Sequence, residues 1–148
     1  LRARVTRRAF VAAGVGAGIG LALSGRSWAG PTALGPLLRP IPSTGEQLPV
    51  VGLGTNAYGV TDPEAYAQRK EVLGALPALG GKVVDTARGY GDSELVIGRA
   101  VRELGNRDRL FIASKTPMGG DVSGGRAVIE ESFRRLQVEV IDLMQIHN

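Results

Sequence analysis

Asp85, Tyr90, Lys115 and His147 each fall at or just past the end of a short apolar run, within sixty-three positions of one another. Together they supply a carboxylate, a phenol, an ammonium and an imidazole, the parts of a proton-donating site. A tyrosine phenol in water titrates near 10, so alone it is a weak acid at neutral pH. An ammonium held nearby in a low-dielectric pocket favours the phenolate and eases proton release. A carboxylate can keep that ammonium charged and oriented, and an imidazole can hold a substrate oxygen in place. Such a set suits protonation of an oxygen while hydride arrives at the adjacent carbon, which is carbonyl reduction. Taken singly, each residue has a plainer reading. Asp85 and Lys115 could be a structural ion pair, Tyr90 a packing residue and His147 a satisfied group at a strand end.

The elements that must bring these groups together recur about every thirty residues, the repeat of a strand–helix–strand unit. Val50–Gly54, Lys82–Asp85, Leu110–Ala113 and Val140–Ile146 read as four buried strands. Between them, Asp62 and Pro63 open a first helix with Val72, Leu76 and Leu79 on one apolar face. Ser93 reads as the cap of a second helix carrying Ile97, Val101 and Leu104 inward, and Ile129, Phe133 and Leu136 mark a third. Continuous apolar strands alternating with amphipathic helices imply a parallel sheet covered by helices. Closed into an α/β, parallel (β/α)8 barrel, such a sheet gathers its strand C-termini, and the four polar groups, on one rim. A complete barrel needs about 250 residues. The 148 residues here provide the first four strands and three helices. The expectation is an N-terminal half, inactive by itself.

The composition narrows the other classes. The net charge of +4 suggests nucleic acid, but five of the 18 basic residues precede residue 30 and all 14 acidic residues follow it. From Gly30 onward there are 13 basic residues against 14 acidic ones, so no nucleic-acid partner is expected. One histidine and no cysteine leave no thiolate or multi-histidine metal site.

Residues 1–29 resemble a twin-arginine export signal, with Thr6-Arg7-Arg8-Ala9-Phe10-Val11, a modest apolar tract to Leu23, and Ser27-Trp28-Ala29 as a small-x-small cleavage site. Cleavage after Ala29, a partnership with the export machinery and a periplasmic location are expected. The tract is short of the about 20 residues a membrane span needs, so no stable span is expected after cleavage. An uncleaved anchor is the plainer alternative. The glycines of this leader do not make a dinucleotide loop, because Ile19 stands where the third glycine belongs. Residues 30–49 read as a linker with a hairpin around Ser43-Thr44-Gly45, leaving 50–148 as the barrel segment.

The stretch Asp85-Thr86-Ala87-Arg88-Gly89-Tyr90-Gly91-Asp92-Ser93-Glu94-Leu95-Val96-Ile97-Gly98 resembles the signature of the aldo-keto reductase family. Ile112-Ala113-Ser114-Lys115 is similar to its lysine strand, and Ser132-Phe133-Arg134-Arg135-Leu136 through Ile141–His147 to its histidine strand. Leu48–Thr55 resembles its opening strand. By that resemblance Tyr90 would be the proton donor, Lys115 the cation easing its proton loss, Asp85 the partner of Lys115, and His147 the group orienting a small-molecule carbonyl. The family uses NADP(H) without a dinucleotide fold. Gly54, Thr55, Asn56 and Asp85 would lie at the nicotinamide end, with Asn56 and Tyr58 near the substrate. A non-catalytic, cofactor-binding or regulatory subunit of the same fold is the alternative. An unrelated barrel hydrolase or isomerase finds no phosphate loop or paired carboxylates.

Overall fold

In a computed structural model, residues 35–117 and 124–147 are described. The export leader, the start of the linker and its cleavage site lie outside those residues. The described chain opens on an antiparallel hairpin, β1 (Leu38–Pro40) and β2 (Gln47–Pro49), as the Ser43-Thr44-Gly45 turn signal predicts. Gly45 takes a φ of +74° in that turn, a conformation glycine adopts without steric cost. Four parallel strands follow in sequential order, β3 (Leu53–Gly54), β4 (Val83–Asp85), β5 (Phe111–Pro117) and β6 (Leu143–His147). Helices α1 (Pro63–Ala75), α2 (Ser93–Leu104) and α3 (Gly125–Leu136) connect them. This is the strand order and alternation of the first half of a parallel (β/α)8 barrel, as expected. Among the described residues, no helix is long and apolar enough to cross a membrane.

Register decides which residues can meet. Asp85 pairs with Ala113, two residues before Lys115, and Lys115 pairs with Gln145, two residues before His147. Side chains alternate along a strand with period two, so Asp85, Lys115 and His147 project from the same face of the sheet. Each strand carries its polar group two residues further along than its predecessor. That diagonal offset is the stagger of strands tilted about a barrel axis. Ser114, one residue out of phase, projects from the opposite face toward the helices.

The core lies between sheet and helices, with Leu73, Val84, Ile97, Ala100, Ile112 and Leu136 fully buried. Helix α1 starts as predicted: the Asp62 carboxylate accepts from the Ala65 amide at 2.8 Å, and Pro63 occupies the first turn. Its inward face differs from the expected one. Leu73 is the buried residue, whereas Val72 is 45% and Leu79 is 79% exposed. Leu76 still packs against the core as expected, and Pro77 after it has no amide to donate to the Leu73 carbonyl four residues back. The chain tightens there into a 3-10 turn over Leu76–Leu79, which rotates Leu79 outward. The orphaned Leu73 carbonyl is met instead by the buried Asn106 side chain, whose Nδ2 donates at 3.1 Å.

Two predicted strands are shorter than their apolar runs. Val50 and Val51 are exposed, and pairing with β4 is confined to Leu53 and Gly54. The Val50 amide is still held by the hairpin, donating to the Leu37 carbonyl at 2.9 Å, so the chain bends between hairpin and sheet. Val140, 58% exposed, likewise precedes β6. The Asp142 side chain ends that approach: Oδ2 accepts from the Ile112 amide and from Arg107, both at 2.7 Å.

Helix α2 crosses α3 at close range. A Cβ built on Gly98 would fall 2.6 Å from the carbonyl carbon of Leu136, so only glycine fits there.

Candidate active site

Lys115 is the hub of the rim. Its Nζ lies 2.8 Å and 2.7 Å from the two Asp85 carboxylate oxygens and 2.8 Å from the Thr86 carbonyl. An ammonium has three donors, and all three point at oxygens of the β4 end. Lys115 therefore acts on its other neighbour through charge. That neighbour is Tyr90, whose ring centroid lies 5.1 Å from Nζ. The Lys115 side chain is only 14% exposed, so water screens this charge weakly. His147 completes the group, its ring packed edge-on to Tyr90 with centroids 5.7 Å apart and planes at 83°. All four residues singled out in the sequence thus stand together, in the diagonal that the register requires.

The loop between β4 and α2 is what presents Tyr90. Its amide donates to the Ala87 carbonyl at 3.0 Å, and its carbonyl accepts from the Ser93 amide at 3.1 Å. The Arg88 amide donates to the Lys115 carbonyl at 3.1 Å, tying this loop to β5. Gly91 follows in a left-handed conformation, φ +58°.

The residues expected at the cofactor and substrate edge divide. Gly54 presents an open face, with no atom within 4 Å of a built Cβ, and Asn56 is exposed. Thr55 is buried, and its hydroxyl and amide both donate to the Asp85 carbonyl, at 2.8 and 3.1 Å. It joins β3 to the residue that holds Lys115. The expectation of Tyr58 near a substrate is corrected: it belongs to the core cluster, and its hydroxyl donates to the Arg69 carbonyl of α1 at 3.4 Å. Burial pushes the Tyr58 phenol above its ordinary range, with the nearby Arg69 opposing. The Arg69 guanidinium lies 5.3 Å from that ring's centroid.

Ser93 corrects a second expectation. A hydroxyl before an apolar helix reads as a cap, yet Ser93 makes no such bond. Its Oγ donates to the Thr55 carbonyl at 2.7 Å and accepts from the Tyr58 and Gly59 amides at 3.2 and 3.1 Å. Three backbone groups of the β3–α1 loop are thereby held against the start of α2, beside Tyr90. Asp92 occupies the cap position instead.

Comparison with known proteins settles the family, because the profile described as "Aldo/keto reductase family" matches residues 50–148. The chain belongs to the aldo/keto reductase family. A curated relative, aldo-keto reductase YhdN of Bacillus subtilis (strain 168), is 34% identical over 120 residues, covering 72% of this chain and 36% of the relative. Among solved aldo/keto reductases, one from Klebsiella pneumoniae in complex with NADP and acetate is 33% identical at a TM-score of 0.60, over 70% of this chain and 36% of that one. The thermostable aldo-keto reductase Tm1743, bound to the inhibitor epalrestat, is 31% identical at a TM-score of 0.65, over 75% of this chain and 42% of that one. The chain spans about a third of the length of the curated relatives it matches.

Proposed function

We propose that this segment carries the proton-donating half of an NADP(H)-dependent carbonyl reductase. The observation that supports it most is the Lys115 ammonium, chelated by Asp85 and placed against the face of Tyr90. In this reading Tyr90 hands its proton to a carbonyl oxygen that becomes an alcohol. Lys115 stabilises the phenolate left behind, because a cation close by in a poorly solvated site lowers the cost of that charge. Asp85 keeps the ammonium charged and fixed. His147 borders the same space from β6 and steadies the substrate oxygen. The open face of Gly54, the exposed Asn56 and the carboxylate of Asp85 fit the nicotinamide end of the cofactor, while Thr55 acts behind them by holding Asp85. When bound, the cofactor would supply the hydride. NADP bound to the Klebsiella pneumoniae relative supports this choice.

The 148 residues alone are expected to leave NADPH unconsumed with a generic aldehyde, because β3 and β6 each have only one partner strand among the described residues. A completed chain, in which residues 50–148 are continued by the remaining strand–helix units of a family member, is expected to consume it. In that chain Tyr90→Phe should lower turnover by about a hundredfold or more, within the range for losing a general acid, and leave NADPH affinity intact. Absorbance at the nicotinamide band follows the first quantity and fluorescence titration the second. Full turnover by the Phe variant would overturn catalysis by Tyr90, whereas biological function unchanged in that variant would favour the binding or regulatory alternative.

The leader supports an exported, periplasmic protein. The export pathway it resembles carries folded proteins, which suits an enzyme that takes up its cofactor inside the cell. Replacing Arg7 and Arg8 with Lys is expected to hold the protein in the cytoplasm. Undiminished export of that variant, read by cell fractionation, would refute the assignment.

A further inference from the structure

Behind the rim lies an ion pair that the chemistry of Tyr90 and Lys115 does not itself use. Glu94, in the first turn of α2, is fully buried. Its Oε1 accepts from the Ser114 hydroxyl at 2.8 Å. Its Oε2 faces the Arg135 Nε of α3 at 3.4 Å, and neither of those two atoms has a hydrogen-bond partner. The same arginine reaches the Tyr90 loop: its Nη2 donates to the Gly91 carbonyl at 2.5 Å and to Asp92 at 3.2 Å.

A buried carboxylate is costly unless a charge and hydrogen bonds compensate it, and such pairs are poor stabilisers compared with apolar packing. Their better-attested use is to fix geometry. Here both ends of the pair touch the neighbours of the reacting groups. Ser114 precedes Lys115 on β5 and projects from the opposite face. Gly91 and Asp92 follow Tyr90 directly. The closeness of α2 and α3 at Gly98 holds Glu94 and Arg135 at this separation.

We propose that Glu94 and Arg135 are positioning residues, a buried brace that sets the Tyr90 ring against Lys115 and His147. The proposal rests on the functional reading only for its purpose, because the positioning can be measured with neither cofactor nor substrate. The sequence contains a single histidine, so its imidazole signals need no assignment in a proton–carbon NMR spectrum. An aromatic ring packed edge-on to His147 displaces those signals by its ring current, and Tyr90→Leu in the 148-residue chain defines the displacement. Arg135→Gln is expected to move the His147 signals most of the way to the Tyr90→Leu position. Arg135→Lys, which keeps the charge beside Glu94 with a shorter reach, should recover only part of the parent shift. Glu94→Gln keeps an acceptor for Ser114 and removes the charge, and should move the signals in the same direction. A folded Arg135→Gln chain with parent His147 signals would overturn the brace. If that variant fails to fold, unmoved signals in folded Glu94→Gln and Arg135→Lys chains overturn it equally. Failure of carbonyl reduction with these shifts as expected would count against the functional reading alone.

Discussion

Lys115→Met in the completed chain is expected to lower carbonyl reduction by about a thousandfold while leaving the fold in place. A unit charge about 5 Å away is worth about 3 kcal/mol at an effective dielectric of about 20, which is about a hundredfold in rate. The variant also frees the Asp85 carboxylate beside the nascent phenolate, where a like charge opposes proton release. That second effect supplies the remaining factor. Stability should change little by comparison. The Asp85 side chain is 40% exposed and can hydrate once its partner is gone, so the cost to folding is expected near 1 kcal/mol. Single-turnover rates and thermal melts of one preparation separate the two. A variant that melts like its parent and turns over within tenfold of it would show that Lys115 is a structural ion-pair partner.

Gly98→Ala tests the scaffold rather than the chemistry. Alanine normally strengthens a helix interior by about 1 kcal/mol over glycine. At this position the new methyl would meet the Leu136 carbonyl group at 2.6 Å. Backbone of a packed helix cannot turn aside as a side-chain tip can, so α2 and α3 must separate along their contact. Overpacking of this kind costs about 1–3 kcal/mol, sometimes more, and the upper end applies where backbone is struck. The net loss should be about 2 kcal/mol, lowering the melting temperature of the 148-residue chain by roughly 6 °C. A melting temperature equal to or above the parent's would mean that the helices part without cost.

How much of this was legible depends on whether a residue's role is local or shared. Asp85, Tyr90, Lys115 and His147 were readable because each falls at or just past the end of an apolar run, and strand ends of a parallel barrel converge. The hairpin and the Asp62–Pro63 helix start were readable for the same reason, since a turn or cap is settled within a few residues. The face of α1 was not. Leu73 rather than Val72 turns inward, and its carbonyl, denied a donor by Pro77, is met by Asn106, thirty-three residues away. Ser93 was misread because a hydroxyl at a helix start satisfies two different demands. Only the folded positions of Thr55, Tyr58 and Gly59 show which demand prevails. Tyr58 was misplaced because a tyrosine near an active-site loop can as well turn its ring into the core.

The diagonal pairing of β4, β5 and β6 makes the site sensitive to odd and even changes in different ways. Deleting one residue of β5 before Ser114 would put Lys115 in the place of Ser114 and Ser114 in the place of Ala113. The ammonium would enter the helix layer beside Glu94, and the hydroxyl would face the rim. Removing two would shorten the strand yet return the ammonium to its own side, one step down the stair. The arrangement thus behaves like a parity check written into the backbone, in which the count of residues between strand entry and Lys115 matters more than which residues they are.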